Sequence, residues 1–173
     1  SDLGVLEVFT YYVQHPDPDA PLLIWMNGGP GASSLMGLFT EIGPHLLNLQ
    51  SVPKIWPNAS AWRPFANPHA FSEEGSLLVW EQPAGVGFSR CLARCPALWD
   101  DTTSAHANAA LVVSFLAQMP EAKRRDVYIV GESYAGIYVP LLAKELLKVD
   151  TMSIPLKGIM VGDGCIGFGA KGG

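Results

Sequence analysis

The stretch Val127–Pro140, VYIVGESYAGIYVP, sets Ser133 among small residues where an apolar run meets a segment of helical spacing. The run DVYIV reads as a strand, and from about Tyr134 to Lys148 the residues Ile137, Leu141, Leu142 and Leu146 mark one face of a helix. The join is therefore a strand-to-helix turn. A strict G-x-S-x-G pattern would need glycine at position 135; here Gly131 and Ala135 supply the small side chains such a strained turn demands, with Gly136 behind them. A serine lifted on that turn is a candidate nucleophile, and the backbone N–H of Tyr134 at the helix start faces where an oxyanion would form. The plainer alternative is a serine N-cap flanked by packing glycines.

Working outward, LLIWM (Leu22–Met26) ends at Asn27-Gly28-Gly29, and SLLVWE (Ser76–Glu81) ends at QPAGVG. Both read as buried parallel strands feeding glycine loops. Gly28, Gly29 and Gly31 allow close backbone approach, so one of them is a candidate second oxyanion donor. VFTYYV (Val8–Val13), broken by HPDPDAP, reads as a further strand and turn. Apolar residues recurring at three- and four-residue intervals between Thr103 and Met119, after Asp100-Asp101 and before Pro120, predict a helix. GIMVG (Gly158–Gly162) is the last apolar run, and CIGFGAKGG after it offers no strand. Strands alternating with helices predict a parallel sheet covered by helices, with functional loops at the strand C-termini.

A chain of 173 residues, 49% hydrophobic, is long enough to bury a core as one globular domain or a large piece of one. A net charge of −5 with 11 Lys+Arg excludes an electrostatic nucleic-acid binder, and the basic cluster Lys123, Arg124, Arg125 reads as a solvated loop. No apolar run approaches the roughly 18 residues of a membrane-spanning helix. The start without Met leads us to expect a processed chain or an excised segment. Of the three cysteines, Cys91 and Cys95 are spaced for a local disulfide in an oxidising compartment, and otherwise are two thiols one helical turn apart. With no nearby histidine or third cysteine to complete a ligand set, neither a metal site nor a cofactor is expected. Asn58-Ala59-Ser60 is a candidate glycosylation site.

PLLIWMNGGPGASSLMGLFTEIGP, WEQPAGVGFS and VYIVGESYAGIYVP, taken together and in this order, resemble the serine carboxypeptidase family. The resemblance implies an α/β-hydrolase fold, a mostly parallel sheet with helices on both faces. Residues 1–173 would be a single incomplete domain, truncated before the strands that carry the triad Asp and His. It implies Ser133 as nucleophile and the Gly29 and Tyr134 N–H groups as oxyanion hole. It further implies Asn27, the Gly28 backbone, Glu41 and Glu132 as the site for the free C-terminal carboxylate of a peptide substrate, with Trp25 lining the same region. The compartment it implies is secretory: secreted, lysosomal or vacuolar.

Four departures stand out. Ala32 occupies the position where the family has a disulfide-bonded cysteine, Glu81 stands where it commonly has Asp, and Asp163 replaces the usual Asn, with no role we can assign from sequence. The fourth concerns the triad. His15, His45, His69 and His106 all precede Ser133 and none follows, whereas this fold orders its triad Ser, Asp, His along the chain. Asp150 and Asp163 come too early for the acid. A second chain bearing Asp and His is accordingly the partner to seek, with a homodimer as the other candidate assembly. An inactive truncated product or binding module, and a carboxypeptidase-like acyltransferase, are the alternative functions; Asn27 favours peptidase over acyl transfer.

Overall fold

The structure is a computed structural model and describes residues 4–47, 64–149 and 154–167. Asn58 and Asp150 lie outside the described residues. In chain order the strands are β1 (Val5–Glu7), β2 (Thr10–Val13), β3 (Leu22–Met26), β4 (His45–Leu46), β5 (Phe65–Ala66), β6 (Ser76–Trp80), β7 (Arg90–Ala93), β8 (Val127–Glu132) and β9 (Leu156–Gly162). The α-helices are α1 (Ser34–Gly37), α2 (Asp101–Gln118) and α3 (Ala135–Leu146); a π-helical segment, Leu38–Ile42, continues α1.

Among the described residues five strands form the central sheet in the order β2–β6–β3–β8–β9. β6, β3, β8 and β9 run parallel, as expected from their apolar runs, while β2 is antiparallel to β6. Only the short 14–21 link joins β2 to β3, too few residues for the helical crossover that a parallel neighbour would require. The predicted strand Val8–Val13 is accordingly an antiparallel edge, and it begins later, at Thr10.

Every residue of β3 and β6 is buried, because both faces of the sheet are covered. Leu22, Ile24, Met26, Leu78, Trp80 and Ile129 pack with Val112 and Leu116 of α2 and Val139, Leu142 and Leu146 of α3. Alternate residues Leu23, Trp25, Leu77, Val79 and Val130 face the other side, against Leu38 and Ile42 of the π-helical segment. Among the described residues helices thus cover both faces, but unequally: two full helices on one, a short helical stretch on the other.

One sequence expectation is corrected here. Arg125 is no solvated loop residue but 2% exposed; its Nη1 donates to the carbonyls of Asp17 (2.6 Å) and Ala20 (2.7 Å) and its Nη2 to that of His15 (3.0 Å). The turn after β2 leaves carbonyls facing inward, and the guanidinium satisfies them. Cys91 and Cys95 are joined in a disulfide, Cα–Cα 5.7 Å, at the end of β7. No helix among the described residues is long and apolar enough to cross a membrane.

Candidate active site

Parallel pairing puts the C-terminal ends of β3, β8 and β9 side by side: Met26 lies opposite Gly131, and Glu132 opposite Gly162. The residues that follow these strands, Asn27, Ser133 and Asp163, therefore emerge on one edge, where loops of this sheet type carry function.

Ser133 occupies the left-handed region, φ 57°, a conformation that is strained for a side chain other than glycine. Three backbone bonds hold it there. Its N–H donates to the Gly162 carbonyl (3.0 Å), and its own carbonyl accepts from Gly136 (2.9 Å) and Cys165 (2.8 Å). The small residues around the turn are needed for contact: a Cβ on Gly131 would lie 2.6 Å from the Ala135 Cβ and the Met26 carbonyl oxygen. The N-cap alternative for Ser133 fails on geometry, since Tyr134 is the cap of α3 and no side chain caps it. A left-handed turn between strand and helix, serine at its apex, is the arrangement the sequence predicted.

The glycine loop after β3 abuts this turn. A Cβ on Gly28 would overlap the Tyr134 backbone nitrogen and come within 2.8 Å of the Glu132 carbonyl oxygen. Gly29 follows at φ 109°. The two predicted oxyanion donors, Gly29 and Tyr134, thus sit on segments in direct contact. Beside them opens a cleft of about 370 Å³ lined by Pro30, Gly31, Trp99, Asp101, Tyr134 and Tyr138. The Tyr134 hydroxyl donates to Asp101 Oδ1 at 3.0 Å.

Asn27 is 1% exposed and bonded on every side. Its Oδ1 accepts from Trp25 Nε1 (2.8 Å) and the Gly37 N–H (3.1 Å), its N–H donates to Ser34 Oγ (3.1 Å), and its Nδ2 donates to Glu132 Oε1 (2.7 Å). Gly37 is required: a Cβ there would fall 2.5 Å from Asn27 Oδ1 and 2.6 Å from Trp25 Nε1. Trp25 is 5% exposed and edge-on to Phe71 at 5.9 Å, and its indole N–H orients the amide of Asn27.

Glu132 holds its proton above the ordinary value of 4.5. Burial is the largest cause; the neighbouring Glu41 carboxyl adds repulsion and a side-chain hydrogen bond, Asn27 opposes, and the charge of Asp163 adds a little more. A carboxyl group whose proton is held in this way can donate a hydrogen bond to an anion. Sequence left Asp163 without a role; the fold places it as a third carboxylate near the pair, with its backbone at φ 45°.

Ser133, Tyr134, Gly28, Gly29, Asn27, Glu132 and Glu41 are thus brought together as expected, and the histidines are not. His15 Nδ1 accepts from the Asp17 N–H (3.1 Å), and His106 Nε2 faces Glu145 at 3.4 Å across α2 and α3. Among the described residues, none of the four histidines is bonded to Ser133.

The family model described as serine carboxypeptidase matches residues 7–170. The chain belongs to the serine carboxypeptidase family. Serine carboxypeptidase ctsa-4.1 of Caenorhabditis elegans is 43% identical over 150 residues, which is 86% of this chain and 29% of the relative. Carboxypeptidase Y homolog A of Aspergillus fumigatus is 37% identical over 158 residues, 90% of this chain and 26% of the relative. The crystal structure of Kex1(delta)p, a prohormone-processing carboxypeptidase from Saccharomyces cerevisiae, superposes with a TM-score of 0.75 at 29% identity, covering 95% of this chain and 35% of that one. The sheet and helices are those of the α/β-hydrolase fold of that carboxypeptidase structure. The chain spans less than a third of the length of these curated relatives.

Proposed function

We propose that this chain supplies the nucleophile and the substrate-carboxylate site of a serine carboxypeptidase, which releases C-terminal amino acids from peptides through an acyl-enzyme at Ser133. The observation that carries the reading is the Asn27–Glu132 hydrogen bond, with Glu41 beside it and the Glu132 pKa raised by burial, next to a serine at φ 57°. A peptide with a free C-terminus would place its carboxylate against the Asn27 amide, the Gly28 backbone and the acid of Glu132, with Glu41 beside it. The scissile carbonyl then lies over Ser133.

In the reaction, Ser133 Oγ bonds to the carbonyl carbon and its proton passes to a histidine, which returns it to the departing amino group as the C–N bond breaks. The Gly29 and Tyr134 N–H groups take up the oxyanion, and water later hydrolyses the ester. The histidine and its aspartate come from polypeptide beyond the residues described, whether a second chain or a continuation of this one. The Cys91–Cys95 disulfide and the Asn58 sequon support a secreted, lysosomal or vacuolar location and a glycoprotein.

A second reading is a catalytically silent binding module that holds a peptide carboxylate through the Asn27–Glu132 pair without cleaving the peptide. Fluorophosphonate labelling of the natively purified protein, with intact mass and sequencing of any co-purifying chain, separates the two. Adduct on Ser133 together with a polypeptide bearing Asp and His supports the peptidase; an unlabelled lone chain supports the module.

A further inference from the structure

We infer that Glu81 is a positioning residue, whose carboxylate latches the glycine loop that carries the Gly29 N–H onto the 82–89 loop. This rests on the reading of Ser133 as nucleophile. Glu81 is 1% exposed at the end of β6, and each of its oxygens is taken by a neutral donor from a different loop. Oε1 accepts the Ser33 hydroxyl in a short bond, and Oε2 accepts the Phe88 N–H at 2.5 Å.

The anchor itself is fixed through its backbone. The Glu81 N–H donates to the Phe9 carbonyl (3.1 Å) and the Glu81 carbonyl accepts from Ser89 Oγ (2.7 Å). The 82–89 loop is shaped around the carboxylate: Gly87 sits at φ 53°, and a Cβ there would overlap the Glu81 carboxyl group. On the other side, Ser33 is the N-cap of α1, its Oγ accepting from the Leu35 N–H at 3.2 Å while its hydrogen goes to Glu81. One hydroxyl thus joins the latch to the helix that leads on to Glu41.

Between Asn27 and Ser33 the loop contains Gly28, Gly29 and Gly31, the last two at φ 109° and 79°. Such backbone has little conformational preference of its own, so its shape depends on what ties its ends. Asn27 secures the first end, the Gly31 N–H bond to the Tyr138 hydroxyl (3.2 Å) supports the middle, and Glu81 through Ser33 secures the second end. A displacement of about 1 Å at a reacting centre costs roughly a hundredfold in rate. Loss of the latch therefore weakens oxyanion support at Gly29 and leaves the Asn27–Glu132 bond in place.

The test uses Glu81→Gln, Ser33→Ala and the double variant of the natively assembled protein, with any co-purifying chain retained. Hydrogen exchange is read on peptides covering 27–33 and 84–89, and fluorophosphonate labelling is read as a rate. Expected are exchange faster by on the order of tenfold in both loops, β3 and α3 unchanged, and labelling slower by about ten- to a hundredfold. The double variant should add little to either single one, because both act through one bond. Loops as protected as in the parent protein in both single variants would overturn the inference. If the parent protein takes no label, the nucleophile reading fails, and the exchange data still decide the latch. Ser33→Ala keeps the test open if Glu81→Gln does not fold.

Discussion

Asn27 Nδ2 donates to Glu132 Oε1 at 2.7 Å across the gap between the ends of β3 and β8. The amide cannot turn over to present its oxygen, because Trp25 Nε1 and the Gly37 N–H both hold Oδ1. Its donor side therefore faces the carboxyl group, and in the proposed role the second amide hydrogen of Asn27 and the Glu132 acid would receive a peptide carboxylate together. Pairing of β3 with β8 supplies the register; the indole behind supplies the orientation.

This arrangement predicts a pH dependence whose sign follows from Glu132. Its proton is retained above the ordinary 4.5, so near and above that value the folded site still holds the acid form that donates to a peptide carboxylate. As pH rises through the raised value the proton leaves and like charges face the substrate. KM for peptide should therefore be low in acid and rise across roughly pH 4.5 to 7.5. Folding stability has the same sign: because the folded state keeps the proton longer than the unfolded chain, this group's contribution falls as pH climbs through its raised value. A Glu132→Gln variant should lose the upper limb of the KM profile. A profile that stays flat in the parent protein would remove the assignment of Glu41 and Glu132.

Ser133→Gly is expected to stabilise the fold while abolishing fluorophosphonate labelling. Left-handed backbone costs a residue with a side chain about 1–2 kcal/mol, and the added freedom of glycine in the unfolded chain takes back roughly 0.5–1 kcal/mol. The net gain should lie between about 0 and 1.5 kcal/mol, read as a higher denaturant midpoint at unchanged slope. A loss of stability would mean that the turn at φ 57° carries no strain.

What could be read in the sequence was what is local. The strand Leu22–Met26, the turn at Ser133 and the helix beginning after it follow from apolar runs and small residues, and each lies where the pattern put it. The first and third of the three motifs carried the expectation for Asn27, Gly28, Gly29 and Glu132. The direction of β2 was not legible, since an apolar alternation has no polarity until its neighbour is known. Nor was the burial of Arg125, whose partners His15, Asp17 and Ala20 lie more than a hundred residues away in the chain. Glu81 looked like a mild exchange for Asp; only the fold shows Ser33 and Phe88 converging on it.

Asn108 provides a stability test remote from the site. Buried at 4% exposure on α2, it accepts the Trp80 indole N–H (3.0 Å) and donates to Gln82 Oε1 (3.2 Å). Asn108→Ala leaves a buried indole donor unsatisfied, which costs about 1–3 kcal/mol. Chemical unfolding should report that loss, and a change below about 0.5 kcal/mol would mean that Trp80 finds another partner.

The last prediction concerns β9. Among the described residues it pairs only with β8, and Ile159, Met160 and Val161 are 45%, 49% and 38% exposed. Ile159 is level with Ile129 and Met160 with Val130, so consecutive residues of β9 extend the apolar surface on both faces of the sheet. An unpaired strand edge with apolar residues on both faces is a template for association. The isolated chain is therefore expected to self-associate with rising concentration, and Met160→Lys with Val161→Lys should suppress this by placing a charge on each face. Light scattering and sedimentation check both statements. A monomer across the concentration range that unfolds sharply and reversibly would contradict the expectation. So would charged variants that associate as readily as the parent chain, since the contact would then lie elsewhere on the molecule.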